Sequence, residues 1–428
     1  MSGVLYGELS AFCGRGLSRF CMPGHKGNRR ALPFLRNAAA LDLTETPLTG
    51  DLYEENGFFA DSAAQAARTV GVLAVLYCAG GSTLSLQALM TAYFKRGDRV
   101  LLCRDSHRAP ICAAHTAGIE IKWAAPTDGF GCDTDGIIAA LDGVDGAIVT
   151  SPDYYGRRAD VAGIARECKK RGIPLLVDAA HGAHFPLVGL PYPVAEGADA
   201  AVISLHKTLP ALTGASAVLL SEPSAAQKVR RQMAVWGSSS PSYLISLSIE
   251  NAFEELQSGA ERWAKTRAVC DDLRSRFEGL FEYSDDPTRL CVDLTGTDVE
   301  RVTRLAYDRG ISAEYIGETA VFICSPYNTK RDFKRLEKFC SDLAALPRSG
   351  AKTEIQQLPR RIMSAAAAVA ADSERVDAAQ TLGRIAAQAV CVCPPCRVLI
   401  DAGEEYGEKQ TQLLKKYSIC AADVVKSV

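Results

Sequence analysis

The sequence predicts an α/β protein built around a mostly parallel sheet of seven strands. Three observations carry this reading. Between about residues 60 and 220, apolar runs of strand length alternate with stretches of helix length. The runs are nearly continuous in apolar residues, the pattern of strands covered on both faces. Segments such as VAGIARECKKRG (161–172) have the length and amphipathic spacing of crossover helices between parallel strands.

The seven strands are read at GVLAVLY (71–77), RVLLCR (99–104), IEIKWAA (119–125), GAIVTS (146–151), IPLLVDAA (173–180), AAVISL (200–205) and SAVLLS (216–221). Residues 1–45 read as an N-terminal arm of short helical pieces broken by CMPGHKGN, and 46–250 as the large domain. One long helix is expected over about 240–280. A smaller α/β unit at 251–345 contains RLCVDL, VERVTRLAYDRG and AVFICS. The Pro-containing polar stretch around 346–360 reads as a linker, and 346–428 as a C-terminal, largely helical region with an Ala-rich run. A chain of 428 residues is too long for one small core, so two or three packed units are expected.

Composition excludes several function classes. Hydrophobic residues make up 47%, charged residues 23%, and the formal net charge is -2. Lys and Arg are scattered, so neither a nucleic acid nor a membrane surface is an expected partner. The start, MSGVLYGELSAF, lacks a basic segment followed by an apolar run, and no stretch is long and apolar enough to span a bilayer; a cytoplasmic location is expected. The 15 cysteines are dispersed, as reduced thiols in a cytoplasmic protein are. Cys391, Cys393 and Cys396 cluster in VCVCPPCRV, but no second Cys or His pair matches them, and no metal is expected.

Chemistry concentrates at strand ends. Asp178 ends an apolar strand in VDAAHGAH (177–184), with His181 and His184 following. In VISLHKTLPALTG (202–214) another strand ends in Ser204, His206 and Lys207. A lysine where a buried strand emerges is costly unless paired or used. In CAGGSTLSLQALM (78–90), Gly80, Gly81, Ser82 and Thr83 open a helix directly after a strand, a setting that suits a phosphate. His107 ends a fourth strand in CRDSHRAP (103–110). Singly, each has a plain reading: Lys207 as a snorkelling lysine, Asp178 as a turn cap, His181 as a structural histidine, GGST as an ordinary helix cap. Together they ask for one ligand with a phosphate, a ring, a basic ring nitrogen and an aldehyde, and pyridoxal 5'-phosphate (PLP) has all four.

The ordered motifs FCMPGHKG (20–27), LDLTETPLTGDL (41–52), AGGSTLSLQALM (79–90), RDSHRAP (104–110), SPDYYGRRADVAGIARECKKRGIPLLVDAAHGAHF (151–185) and SLHKTLPALTGAS (204–216) resemble the Orn/Lys/Arg decarboxylases in their short form without an N-terminal wing domain. The resemblance is strong over about 15–250 and looser beyond, through LGRIAAQAVCVCPP (382–395). It implies the fold-type-I, aspartate-aminotransferase-like architecture of PLP enzymes. It implies that Lys207 forms the Schiff base, that Asp178 pairs with the pyridine nitrogen and that His107 stacks on the ring. It further implies that Gly81, Ser82, Thr83, Ser204 and His206 hold the phosphate, and that His181 lies over the cofactor and assists proton transfer. A homodimer or larger homo-oligomer with shared active sites is also implied. The expected reaction is decarboxylation of arginine, lysine or ornithine; an aminotransferase, a β-lyase and a non-catalytic PLP-binding subunit are the alternatives. An acidic residue should receive the substrate's distal cation, with Glu314, Asp51, Glu54 and Glu55 as candidates.

The sequence departs from the family pattern at three places. The family's His-Lys-Ser is His107-Arg108-Ala109 here, its Asp-Asp-Leu-His is Gly50-Asp51-Leu52-Tyr53, and its Tyr-Pro-Pro-Gly is Cys393-Pro394-Pro395-Cys396.

Overall fold

The computed structural model describes residues 3–54, 56–125, 133–346, 358–394 and 396–426. Its strands are β1 (Ser18–Phe20), β2 (Ala74–Cys78), β3 (Arg99–Leu102), β4 (Glu120–Trp123), β5 (Gly146–Thr150), β6 (Leu175–Asp178), β7 (Ala200–Ile203) and β8 (Ser216–Leu220). Then follow β9 (Arg289–Asp293), β10 (Ile311–Ala313), β11 (Tyr315–Ile316), β12 (Thr319–Ile323), β13 (Ser373–Asp377), β14 (Val390–Val392), β15 (Arg397–Ile400) and β16 (Ala421–Val425).

Strands β2 to β8 form one seven-stranded sheet in the order β2-β8-β7-β6-β5-β3-β4. Every neighbouring pair is parallel except the two made by β8, which runs antiparallel to both β2 and β7. The C-terminal ends of β2 to β7 therefore share one edge, and the loops leaving that edge are where such sheets bind ligands. The apolar runs explain the sheet's place in the molecule. Val177, Val202 and Val218, on three adjacent central strands, are fully buried. Each is worth roughly 1.5–3 kcal/mol of burial.

The crossover stretch at 161–172 is helical over Val161–Arg171, capped by Asp160, whose carboxylate accepts from the Gly163 N–H, and closed by Gly172 at φ 66°. The single helix expected over 240–280 is instead two, Tyr243–Ser258 and Ala260–Arg276. The break is at Gly259, where a Cβ would sit 2.5 Å from Glu255 Oε1. That carboxylate is committed elsewhere, accepting from Trp263 Nε1 at 3.0 Å and from the Tyr327 hydroxyl at 2.9 Å.

Beyond the large sheet, β11-β12-β9 is a three-stranded antiparallel sheet. Strand β1 runs parallel to β10, so the N-terminal segment is stitched to this second unit. Leu290, Val292, Phe322, Leu336 and Phe339 are fully buried in its core, with Phe20 among them. The tail is less helical than expected. Its Ala-rich run makes a helix of six residues, Ala365–Ala370, and the described remainder is organised by the pairs β13-β16 and β14-β15 around a third core containing Tyr406 and Val424. Most of the stretch read as a linker, 347–357, lies outside the described residues. Among the described residues no helix is long and apolar enough to cross a membrane.

Candidate active site

A cleft of about 1010 Å³, counted to its open mouth, lies along the C-terminal edge of the large sheet. Its walls come from successive strand ends: Cys103 to His107 after β3, Ala124 after β4, Pro152 to Tyr155 after β5, Asp178 to His181 at β6, and Lys207 after β7. Of the residues expected at the site, Ser82, His107, Asp178, His181 and Lys207 line this one cleft. The parallel sheet does this by ending neighbouring strands level with one another: Thr150 pairs with Asp178, and Asp178 with Val202.

Lys207 sits in the short helix Leu205–Thr208 that caps β7. The turn is held from outside by the loop of FCMPGHKG. The Gly24 N–H donates to the His206 carbonyl at 2.8 Å, and a Cβ on Gly24 would fall 2.3 Å from the Thr208 backbone. Only glycine permits that approach. Lys207 Nζ lies 3.1 Å from His181 Nε2. On its other side, His181 Nδ1 is 3.4 Å from Arg289 Nη1. Arginine and the lysine ammonium both have donors only, so a neutral His181 ring can accept from just one of its two cationic neighbours. Burial holds the His181 pKa well below that of a free histidine, and the Lys207 and Arg289 charges push it the same way. The Tyr154 ring meets His181 edge-on at 5.3 Å.

Asp178 is buried, with Oδ1 accepting from the Ala180 N–H at 3.1 Å. His107 is the N-cap of the helix Arg108–Ala117; its Nδ1 accepts from the Ala109 N–H at 3.1 Å, which fixes the ring at the cleft wall. Burial lowers the His107 pKa, opposed by the Asp178 charge.

Other expected residues lie apart. Gly81, at φ 75°, donates its N–H to the Gly214 carbonyl at 2.7 Å, so that group is already spent. Ser82 and Thr83 follow in the first turn of the helix Gly81–Tyr93, where N–H groups lack intrahelical acceptors; Ser82 lines the cleft and Thr83 is exposed. His206 Nδ1 donates to the Ala215 carbonyl at 3.1 Å, with the buried Ser204 hydroxyl 3.3 Å away. Neither His206 nor Ser204 lines the cleft. His184, the fourth histidine of the strand-end group, is fully buried elsewhere, stacked on Trp263 at 4.8 Å and 3.1 Å from Asp286 Oδ1.

Among the acidic candidates, Asp51 Oδ1 accepts from the Tyr53 and Glu54 N–H groups of its own turn, Glu54 is exposed, and Glu55 lies outside the described residues. Glu314, between β10 and β11, is one hydrogen bond from the cleft: the hydroxyl of the cleft residue Tyr154 donates to its Oε1 at 3.1 Å, and the Met22 N–H donates to its Oε2 at 2.9 Å.

Sequence reasoning missed Tyr154, Arg289, Asp105 and Asp153. Tyr154 had a usable signal, since SPDYYG leaves a strand at the same sheet edge. Arg289 had none, because it arrives from β9 in the other unit. Asp105 lines the cleft with both carboxylate oxygens buried and without a partner from another residue. Burial raises its pKa well above the usual carboxylate range, and the neighbouring Asp153 and Asp178 charges add to this. A carboxyl raised on folding contributes stability that is present at low pH and is lost as pH rises towards the folded-state pKa. Asp105→Asn should therefore unfold at higher urea than the parent near neutral pH, by about 1–3 kcal/mol, with the difference shrinking towards about pH 4. Urea midpoints across that range check it; a constant difference would show that the carboxyl is not titrating on folding.

These residues suit PLP. A lysine, a carboxylate, a histidine ring and a helix N-terminus converge on one cleft at the strand ends. Among the described residues no group of three or more His, Cys, Asp or Glu is arranged to hold a metal.

Known proteins match the chain along most of its length. Residues 4–293 match the family described as Orn/Lys/Arg decarboxylase, major domain. The arginine decarboxylase of Halalkalibacterium halodurans is 25% identical over 441 residues, covering 93% of this chain and 90% of its own. The constitutive lysine decarboxylase of E. coli superimposes with a TM-score of 0.74 at 17% identity, covering 95% of this chain and 79% of that one. An aspartate aminotransferase of Thermus thermophilus gives a TM-score of 0.54 at 19% identity, with 68% and 91% covered. The chain belongs to the Orn/Lys/Arg decarboxylase family, PLP-dependent amino-acid decarboxylases of fold type I.

Proposed function

We propose that this protein decarboxylates a basic amino acid, arginine, lysine or ornithine, to its amine, with Lys207 as the cofactor-bearing lysine. The observation that carries the reading is the convergence of Lys207, Asp178, His107, His181 and Ser82 on one cleft, one hydrogen bond from the Glu314 carboxylate. When bound, PLP supplies the electron sink for the pair left as the Cα–carboxylate bond breaks. Asp178 would hold the proton at the ring nitrogen. His107 would pack against the ring, and Ser82 and Thr83 would hold the phosphate with the first turn of their helix. His181 Nε2 lies beside Lys207 Nζ, which places both residues to return a proton to Cα. Tyr154 and the Met22 N–H orient Glu314 towards the substrate's distal cation.

A product screen over arginine, lysine and ornithine tests the reading. An amine released with CO2 supports it; a keto acid would make the protein an aminotransferase. Glu314→Gln should lower kcat/KM for the preferred substrate about 30-fold or more, roughly 2 kcal/mol, through KM. An equal loss on a neutral straight-chain amino acid would remove Glu314 from substrate recognition.

We also propose that a second copy of the chain completes the assembly. The helix Val4–Gly14 buries none of its residues, leaving Val4 at 85%, Leu5 at 74% and Leu9 at 56% exposure. Phe58 is 64% exposed. Apolar surface of this kind calls for a cover. Sedimentation of the holoprotein should give a dimer or larger, and a monomer at micromolar concentration would reject this.

A further inference from the structure

The segment that departs from the family's Tyr-Pro-Pro-Gly is a thiol pair. Cys393 and Cys396 sit in the turn of the β14-β15 hairpin, where Val392 pairs with Arg397 and Cys391 with Val398. The hairpin is anchored to the cleft, because the Val398 N–H donates to the Arg104 carbonyl at 2.7 Å. Cys396 and Arg397 line the cleft beside Lys207 and Asp178. The two sulfurs are 2.9 Å apart and both thiols are free, so joining them needs a movement of only about 1 Å.

The pair is chemically unequal. Cys393 is exposed and Cys396 is half-buried. The contact with Cys396 lowers the Cys393 pKa to about 7; burial and the Glu314 charge oppose this, while the Lys207 and Arg108 charges favour it. The same contact, with burial, raises Cys396. An accessible thiolate backed by a protonated second thiol is the arrangement that thiol–disulfide exchange requires.

We propose that Cys393 and Cys396 form a thiol–disulfide exchange site in the wall of the active-site cleft, Cys393 attacking and Cys396 resolving, with low-molecular-weight disulfides as the oxidant. The Cys393 thiolate attacks one sulfur of the disulfide; a Cys393 mixed disulfide forms, and the first small thiol leaves and takes a proton from water. Cys396 then gives its proton to water and attacks Cys393 Sγ, closing the Cys393–Cys396 bond and expelling the second small thiol. Two protein thiols are oxidised and one disulfide is reduced to two thiols. Oxidation removes the Cys393 charge and joins Cys393 covalently to the cleft-lining Cys396, so the cleft wall carries a record of the surrounding thiol–disulfide balance.

The test uses the PLP-loaded protein with oxidised glutathione, acid quenching, alkylation and peptide mapping. The parent chain should give the Cys393–Cys396 disulfide as its first product. Cys396→Ser keeps a hydroxyl to hydrogen-bond Cys393 and should trap one glutathione on Cys393. Cys393→Ser should form no mixed disulfide at Cys396 on that timescale. At pH 7 the Cys393 thiolate fraction is roughly 15 times that of an ordinary thiol, and its lower nucleophilicity trims the rate gain to about threefold. Glutathione spread evenly over Cys13, Cys112, Cys393 and Cys420 in Cys396→Ser would overturn the proposal. So would a parent chain without the Cys393–Cys396 bond at an oxidising glutathione ratio. Neither outcome depends on which amino acid is decarboxylated.

Discussion

Lys207→Ala is expected to abolish the visible absorbance of the cofactor-loaded protein and to cut decarboxylation by at least about 10⁴-fold. The size follows from what the side chain does at once. It is the only lysine on the cleft wall among the described residues, and its nitrogen lies 3.1 Å from the histidine assigned to proton transfer. Removing it takes away the covalent anchor, the group displaced by the incoming substrate amine and one of two proton donors. A loss of fold would mimic this, so a second measurement is needed. Borohydride reduction of the loaded parent protein followed by peptide mapping should place the pyridoxyl group on Lys207. Finding it on Lys26 or another lysine, or finding activity in Lys207→Ala, would end the assignment. Lys207→Arg should behave like the alanine variant, because a guanidinium keeps the charge but cannot take the amine's covalent role.

What the sequence revealed of this site was set by locality. Residues that leave a buried strand at its C-terminal end are visible as polar groups after an apolar run, and the parallel sheet brings them together without further information. Asp178, His181, His107 and Lys207 were legible for that reason. Arg289 reaches His181 from a strand more than 100 residues later, and Glu314 reaches Tyr154 from a loop of the same unit; only packing of the second unit on the first creates those contacts. The split of the 240–280 helix was hidden for a related reason. Gly259 inside a helical pattern is tolerable by propensity alone, and the Glu255 carboxylate, which accepts from Trp263 Nε1, occupies the space a Cβ at 259 would need. The tail misled by composition: alanine favours helix, yet the run from 365 is flanked by strands that pair β13 with β16, a contact between segments about 50 residues apart. Asp105 shows a different limit. Sequence places it at a strand end but does not say that its carboxylate is left without partners.

Asp178→Asn is expected to retain the cofactor while losing about 10²–10³-fold in kcat. Asparagine keeps the size of the side chain, and its amide oxygen can still accept from the Ala180 N–H that positions Asp178 now. What it removes is the negative charge, and with it the reason for a ring nitrogen to stay protonated in a buried cleft. Without that charge the bound cofactor would be a weaker electron sink, so kcat should fall while KM changes little. The neighbouring carboxyl of Asp105 does not replace the lost charge, because burial favours its neutral form. The double variant Asp105→Asn/Asp178→Asn should therefore be no slower than Asp178→Asn alone. Steady-state kinetics of the three variants, with PLP affinity read from the absorbance band, decides the matter. An Asp178→Asn variant with parental kcat would mean that the ring nitrogen is not paired with this carboxylate. A further large loss in the double variant would show that Asp105 shares its charge with the site.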